Sequence, residues 1–289
     1  LIDPPAVVNS EHGHRFMSQP GEWGQYITRY DIALYRHSAR KIEVLAAGLV
    51  AMSNEKPEDA AMAQSVLKLW QQVEDKVSTV LGTARVFLNG ERDYIRKMET
   101  NLGNLVTDCF VDFTDADMAL VNGGGIRSSI ATGPITVGDC LNVLPFDNYL
   151  VKIKLTGASL KKIFARIAEG ISQSGGFGGF LQVSHGMLVD YSQGEVSVSL
   201  HGKELIDDEL YTVCTTDFLA AGGDGLTGFT EAVDSESTGK LTGDVFMSFI
   251  KAQSSVSPVT EGRIKLMHTV NKIKMPKGII KNIPTPPRD

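Results

Sequence analysis

The run Met118-Ala119-Leu120-Val121 is short, apolar and strand-like, and it stops abruptly at Asn122-Gly123-Gly124-Gly125-Ile126-Arg127. That junction constrains the chain more than any other, because a buried strand should end there in a loop free to take positive φ. With no side chains in the way, a ligand can come close to the backbone of Gly123, Gly124 and Gly125. Arg127 offers a planar guanidinium to a carboxylate, a phosphate or an aromatic face. Asn122 supplies a donor and an acceptor together. For a lone glycine run, a tight turn with a surface arginine is the ordinary reading.

A second run repeats the theme. Tyr211 to Thr216 alternates and is rich in β-formers, and Asp217-Phe218-Leu219-Ala220-Ala221-Gly222-Gly223-Asp224-Gly225 follows where such a strand should stop. Phe218 reads as core packing or as a platform for a base, an interaction worth about 1–3 kcal/mol and tolerant of base identity. Between the two runs, Pro145 fixes the backbone just ahead of Phe146, and the turn residues Asp147 and Asn148 follow. Taken singly, Phe146 reads as core; taken together, two loop-borne aromatics can clamp one base.

Strand signals also occur at Arg85–Leu88, Leu150–Leu155, Gly186–Tyr191 and Val196–Leu200, with helix signals at Asn101–Phe113, Ser159–Glu169 and Gly243–Ala252. Residues 26–35 and 41–50 predict a β pair. A helix should follow: Pro57, Glu58 and Asp59 stand at its start, apolar residues recur from Met62 to Val80 at three- and four-residue steps, and Gly82 ends it. The mixture predicts an α+β or α/β layered sandwich of mixed β-sheets flanked by helices rather than strict βαβ alternation. The segment Ser172–Phe180 has the composition of a flexible glycine-rich loop, with Phe177 and Phe180 as core or rim contacts; no phosphate-loop lysine accompanies it.

With 289 residues, 42% hydrophobic and 21% charged, the chain can bury a full core. Its net charge of −6 argues against a nucleic-acid backbone as main partner, so its arginines must act locally on a small anion. No apolar run reaches the roughly 18 residues of a membrane span. Cys109, Cys140 and Cys214 sit in apolar contexts without metal spacing and read as buried thiols.

As a set, Asn122–Arg127, Leu144-Pro145-Phe146 and Phe218–Gly225, preceded by Glu99-Thr100-Asn101-Leu102-Gly103-Asn104-Leu105 and closed by Glu261-Gly262-Arg263-Ile264, resemble the carboxy-terminal domain of the 5'-nucleotidases in order and spacing. The resemblance covers about residues 5–267, because Pro20-Gly21-Glu22-Trp23-Gly24-Gln25-Tyr26 is similar to the end of the family's preceding catalytic domain. It implies residues 1–50 as the tail of a metallophosphoesterase domain and 51–84 as an interdomain linker helix. Residues 85–267 become a nucleotide-binding domain and 268–289 a basic solvated tail. It also implies that Phe146 and Phe218 sandwich the base and that Asn122 and Arg127 contact base or nucleotide. Gly124 lies within their loop, Arg96 takes the place of a further arginine, and Asp224 accepts from ribose hydroxyls. A hinge near residues 51–61 would let this domain swing.

The departure from the family is the lack of its amino-terminal metal ligands: no Asp-x-His and no Gly-Asn-His-Glu occurs. His12-Gly13-His14 lacks companion carboxylates and reads as part of a hairpin turn with exposed histidines. The resemblance therefore implies no cofactor and no catalytic group in this chain, which begins at Leu1 and reads as a fragment. Two divalent ions are expected in the preceding domain, which is its natural partner. The parent protein would be a periplasmic, cell-surface or extracellular metal-dependent phosphohydrolase of nucleoside phosphates. The alternative is a stand-alone nucleotide-binding or assembly module without catalysis of its own. Neither base nor ester specificity follows from stacking groups alone.

Overall fold

The computed structural model describes residues 2–10, 13–21, 24–35, 42–53, 55–171 and 176–266. The chain divides into two compact units, Leu1–Gln72 and Val73–Asp289. In the first, β1 (Ile2–Ser10) pairs antiparallel with β2 (Gly13–Gln19), and β3 (Tyr26–Leu34) with β4 (Ile42–Ala51). The Ser10/Gly13 pairing closes the expected hairpin, while Glu11 and His12 of its turn lie outside the described residues. Helix α1 (Ala60–Val77) crosses the division between the units and buries none of its residues. Asp59 starts it by accepting from the Met62 amide at 2.9 Å.

In the second unit the elements run as β5 (Val80–Ala84), α2 (Arg92–Ile95), α3 (Asn101–Thr114), β6 (Met118–Asn122), β7 (Gly133–Thr136) and α4 (Val137–Val143). Then come β8 (Tyr149–Thr156), α5 (Gly157–Ile171), β9 (Leu181–Val183), β10 (Met187–Gln193), β11 (Glu195–Leu200) and β12 (Lys203–Glu204). The unit closes with β13 (Leu210–Thr216), α6 (Asp217–Ala220), β14 (Asp234–Leu241), α7 (Thr242–Gln253), β15 (Ser255–Val256) and β16 (Ile264–Lys265).

The central sheet has the order β14-β8-β13-β6-β9, with β13 and β6 parallel and the other neighbours antiparallel. Successive residues of β6 point to opposite faces, and each face has its own core. Ala119 and Val121 join Cys214, Leu150 and the apolar faces of α3 and α7; Met118 and Leu120 join Val151, Ile153, Val213 and the apolar face of α5. A sheet β15-β5-β7 and a sheet β12-β11-β10-β16 complete the layers, giving the expected α+β sandwich of mixed sheets and helices. Local chemistry sets the helix starts. Thr100 caps α3 by accepting from the Gly103 amide at 3.0 Å, and Thr136 with Asp139 forms a capping box on α4.

Helix α1 is shorter than its apolar spacing predicts. It ends at Val77, and Val80–Ala84, with Gly82 inside it, is a strand paired with both β7 and β15. The predicted strand Arg85–Leu88 is correspondingly replaced by a bend with one bridge, Leu88 to Ile130. A β-branched apolar run of this length fits either period, and here the sheet captured it. Residues 172–175 and the basic tail 268–289 lie outside the described residues. All three cysteines are buried and unpaired.

Candidate functional site

Strands β6 and β13 run parallel side by side, with Val213 opposite Met118 and Cys214 opposite Ala119. Both therefore leave the sheet at the same end, which delivers Asn122 and the Thr216–Phe218 corner to one place. Thr216 fixes that corner by accepting from the Leu219 amide at 3.2 Å, which starts α6 and turns Phe218 out of the core. Phe146 comes from the α4–β8 connection, Arg96 from the end of α2, and Asp224 from the tight turn Gly223–Gly225.

These elements enclose a cleft of about 300 Å³ bordered by Arg96, Asn122, Gly124, Arg127, Phe146, Phe218 and Asp224, together with Gly125, Asn148 and Gly178. All seven residues singled out in the sequence thus meet in one place. Phe146 and Phe218 are 47% and 43% exposed, so neither ring belongs to the core. Asn122 is only 4% exposed, and its Nδ2 donates to Asp224 Oδ2 at 2.7 Å. Asp224 adopts φ of 54°, a left-handed backbone that aspartate tolerates better than most residues.

The glycine run contributes shape rather than free donors. The Gly123 amide is bound to Phe180 O at 2.7 Å, the Gly124 amide to Gly178 O at 2.8 Å, and the Gly125 amide to Asn122 O at 2.8 Å. A Cβ on Gly123 would stand 2.2 Å from Ile95 O, so the glycine lets the loop lie directly against the turn that carries Arg96.

Positive charge concentrates at one side. Burial, then the charges of Arg92 and Arg127, lower Arg96 from the ordinary arginine value, while Asp224 opposes them. Arg96 nevertheless stays cationic at any working pH. Its Nε is buried without a hydrogen-bond partner. The Arg127 guanidinium lies 5.9 Å from the centroid of the Phe146 ring. Three like charges held this close are costly unless an anion joins them.

Sequence reasoning missed Arg92, Asn148 and Gly178. Asn148 stands two residues past Phe146, and Gly178 belongs to the segment read as a flexible loop. The described part of that segment is a loop that walls the cleft, and Phe180 is buried as the core contact expected of it. Its glycine pairs alternating with phenylalanines were the available signal. Among the described residues, no group of three or more His, Cys, Asp or Glu side chains converges as a metal ion would require. None of the described helices is long and apolar enough to cross a membrane.

A family profile described as "5'-nucleotidase, C-terminal domain" matches residues 80–231. The chain is 31% identical over 287 residues to the trifunctional nucleotide phosphoesterase protein YfkN of Bacillus subtilis, covering 95% of this chain and 20% of that one. It is 28% identical over 256 residues to the 5'-nucleotidase of Vibrio vulnificus, covering 83% and 46%. The crystal structure of a 5'-nucleotidase precursor from Thermus thermophilus superposes with a TM-score of 0.69 at 35% identity, covering 91% of this chain and 54% of that one. The chain therefore spans about half, or less, of the length of these relatives.

Proposed function

The chain belongs to the 5'-nucleotidase C-terminal domain family, and from that premise we propose that its cleft grips the base and ribose of a nucleoside phosphate. One observation carries the reading: two half-exposed rings, a hydrogen-bonded amide–carboxylate pair and clustered arginine charge border the same 300 Å³ space. A volume of that order suits a small ligand. In this reading Phe146 and Phe218 stack on the heterocycle, which supplies affinity with little base discrimination. Asn122 occupies Asp224 Oδ2 and holds the carboxylate still, so that Asp224 Oδ1 accepts from a ribose hydroxyl. Arg96 and Arg127, with Arg92 behind them, draw the phosphate to one end.

Hydrolysis of the phosphate ester belongs, in this proposal, to a longer protein. The described residues provide no ligand cluster for metal ions. The paired divalent ions and the catalytic groups would come from a metallophosphoesterase domain, with this chain presenting the substrate. A periplasmic, cell-surface or extracellular setting is proposed on the same family grounds.

The test is calorimetry of the chain with adenosine, uridine and their 5'-monophosphates, repeated on a Phe146→Ala, Phe218→Ala double variant. Binding by the wild-type chain that the double variant loses supports the reading; equal, weak signals from both proteins reject it.

A further inference from the structure

Gln182 lies in the middle of β9, fully buried, and is a polar residue between the apolar Leu181 and Val183. Both ends of its amide are engaged. Nε2 donates to Ile95 O at 3.0 Å and to Met98 O at 2.8 Å, and Oε1 accepts from the Thr100 amide at 3.1 Å. These partners bracket Arg96, so one side chain fixes the backbone on both sides of that arginine. The same strand is in register with β6, with Gln182 opposite Val121 and Leu181 opposite Asn122. Space for the amide is kept by Gly103, whose Cβ would stand 2.2 Å from Gln182 Oε1.

We propose that Gln182 is a positioning residue for the cleft: it locks the turn carrying Arg96 to the strand pair that ends in Asn122, and so sets where the arginine meets the anionic end of a ligand. The inference rests on the nucleotide reading of the cleft. Burial of an amide with three good partners stabilises any fold modestly, and a purely structural role would end there. A positioning role adds a ligand-selective consequence. Arg96 has an unpartnered buried Nε and sits among like charges, so it is held in place by its backbone rather than by side-chain bonds.

Gln182→Met keeps the volume and removes all three hydrogen bonds. It should weaken binding of adenosine 5'-monophosphate about five- to ten-fold while leaving adenosine within about two-fold, the scale of one or two lost hydrogen bonds. In an Arg96→Ala background the same substitution should cost nothing more. Equal weakening of nucleoside and nucleotide, or a further loss without Arg96, overturns the proposal. Failure of the wild-type chain to bind either ligand rejects the cleft reading itself. A variant-free measurement guards against misfolding of Gln182→Met: by linkage, the monophosphate should slow hydrogen exchange at the Thr100 amide more than adenosine does. Equal slowing by the two ligands also overturns the proposal.

Discussion

Asn122 and Asp224, separated by 102 positions in the chain, form a 2.7 Å hydrogen bond at the mouth of the cleft, and the donor is nearly buried while the acceptor is exposed. The bond ties the end of a central strand to a tight turn whose left-handed aspartate has little else to hold it.

Removing the acceptor should be felt in the fold as well as in binding. Asp224→Ala leaves a buried amide without its partner, at a cost of about 1–2 kcal/mol. Asp224→Asn keeps an acceptor and suits the left-handed backbone, so it should unfold at nearly the wild-type denaturant midpoint while nucleoside affinity falls about ten-fold through loss of the charge. Equal denaturation midpoints for Asp224→Ala and the wild type would refute the structural half of this account.

The two rings should be separable from stability. Phe146→Ala and Phe218→Ala are each expected to lower nucleoside affinity roughly 5- to 150-fold, the equivalent of about 1–3 kcal/mol of stacking. Because both rings are half-exposed, the thermal midpoint should move little. A subtler probe is Gly223→Ala. Its new Cβ would stand 2.4 Å from the Phe218 ring and must displace it, so affinity should fall with the aromatic group still present. Titration calorimetry checks the loss in each of the three variants, and an unchanged affinity for Gly223→Ala would show that the ring does not need its present position.

Arg263 is a prediction about the fold alone. Its side chain is 4% exposed and makes a fork to Asp108 at 2.6 and 2.8 Å, with Nε donating to Glu261 at 2.9 Å and Nη1 to Val183 O at 3.1 Å. Arg263→Lys cannot reproduce that planar geometry and should cost about 2–4 kcal/mol, read by chemical denaturation. A loss under half a kilocalorie would show that the fork adds nothing beyond a point charge.

Alkaline pH should destabilise the second unit through its thiols. Burial pushes Cys140 and Cys214 each up to about 12, and Cys109 higher still. The unfolded chain releases these protons from about pH 8.5 upward while the folded chain keeps them. The protective effect is therefore complete below that pH and is lost as pH rises toward the folded values. Each thiol steepens the decline by up to about 1.4 kcal/mol per pH unit. The pH dependence of stability in the wild type and in Cys140→Ala, read from denaturation curves, should be alike near pH 7 and differ in slope by close to one proton as pH approaches 10. Identical slopes would show that Cys140 titrates alike in both states.

Much of this architecture is legible in the residues themselves, for identifiable reasons. Strands β6, β8 and β13 and helices α3, α5 and α7 announce themselves because burial on a sheet or along one helical face leaves an apolar period. Strand β14 does not: Asp234-Ser235-Glu236-Ser237 is polar and exposed, and it is a strand because β8 offers an unpaired edge. The short helix α4 escaped attention although Thr136 and Asp139 carry a capping-box spacing. Within the cleft, the rings and glycine runs stand out because their side-chain chemistry departs from that of a core. Gly178 and Gln182 do not, since what they do is decided by partners 54 and 82 or more positions away.

The shared exit end of β6 and β13 gives the molecule two distinct rates of change. The paired strands, packed on both faces, tolerate few substitutions, yet apart from Asn122, the last residue of β6, what they bring to the cleft hangs on the segments that follow them. Rewriting the exposed positions of either outgoing segment would alter ligand preference at little cost to the scaffold, whereas Gly123, Ile126 and Leu219 in the same segments are held by the packing around them.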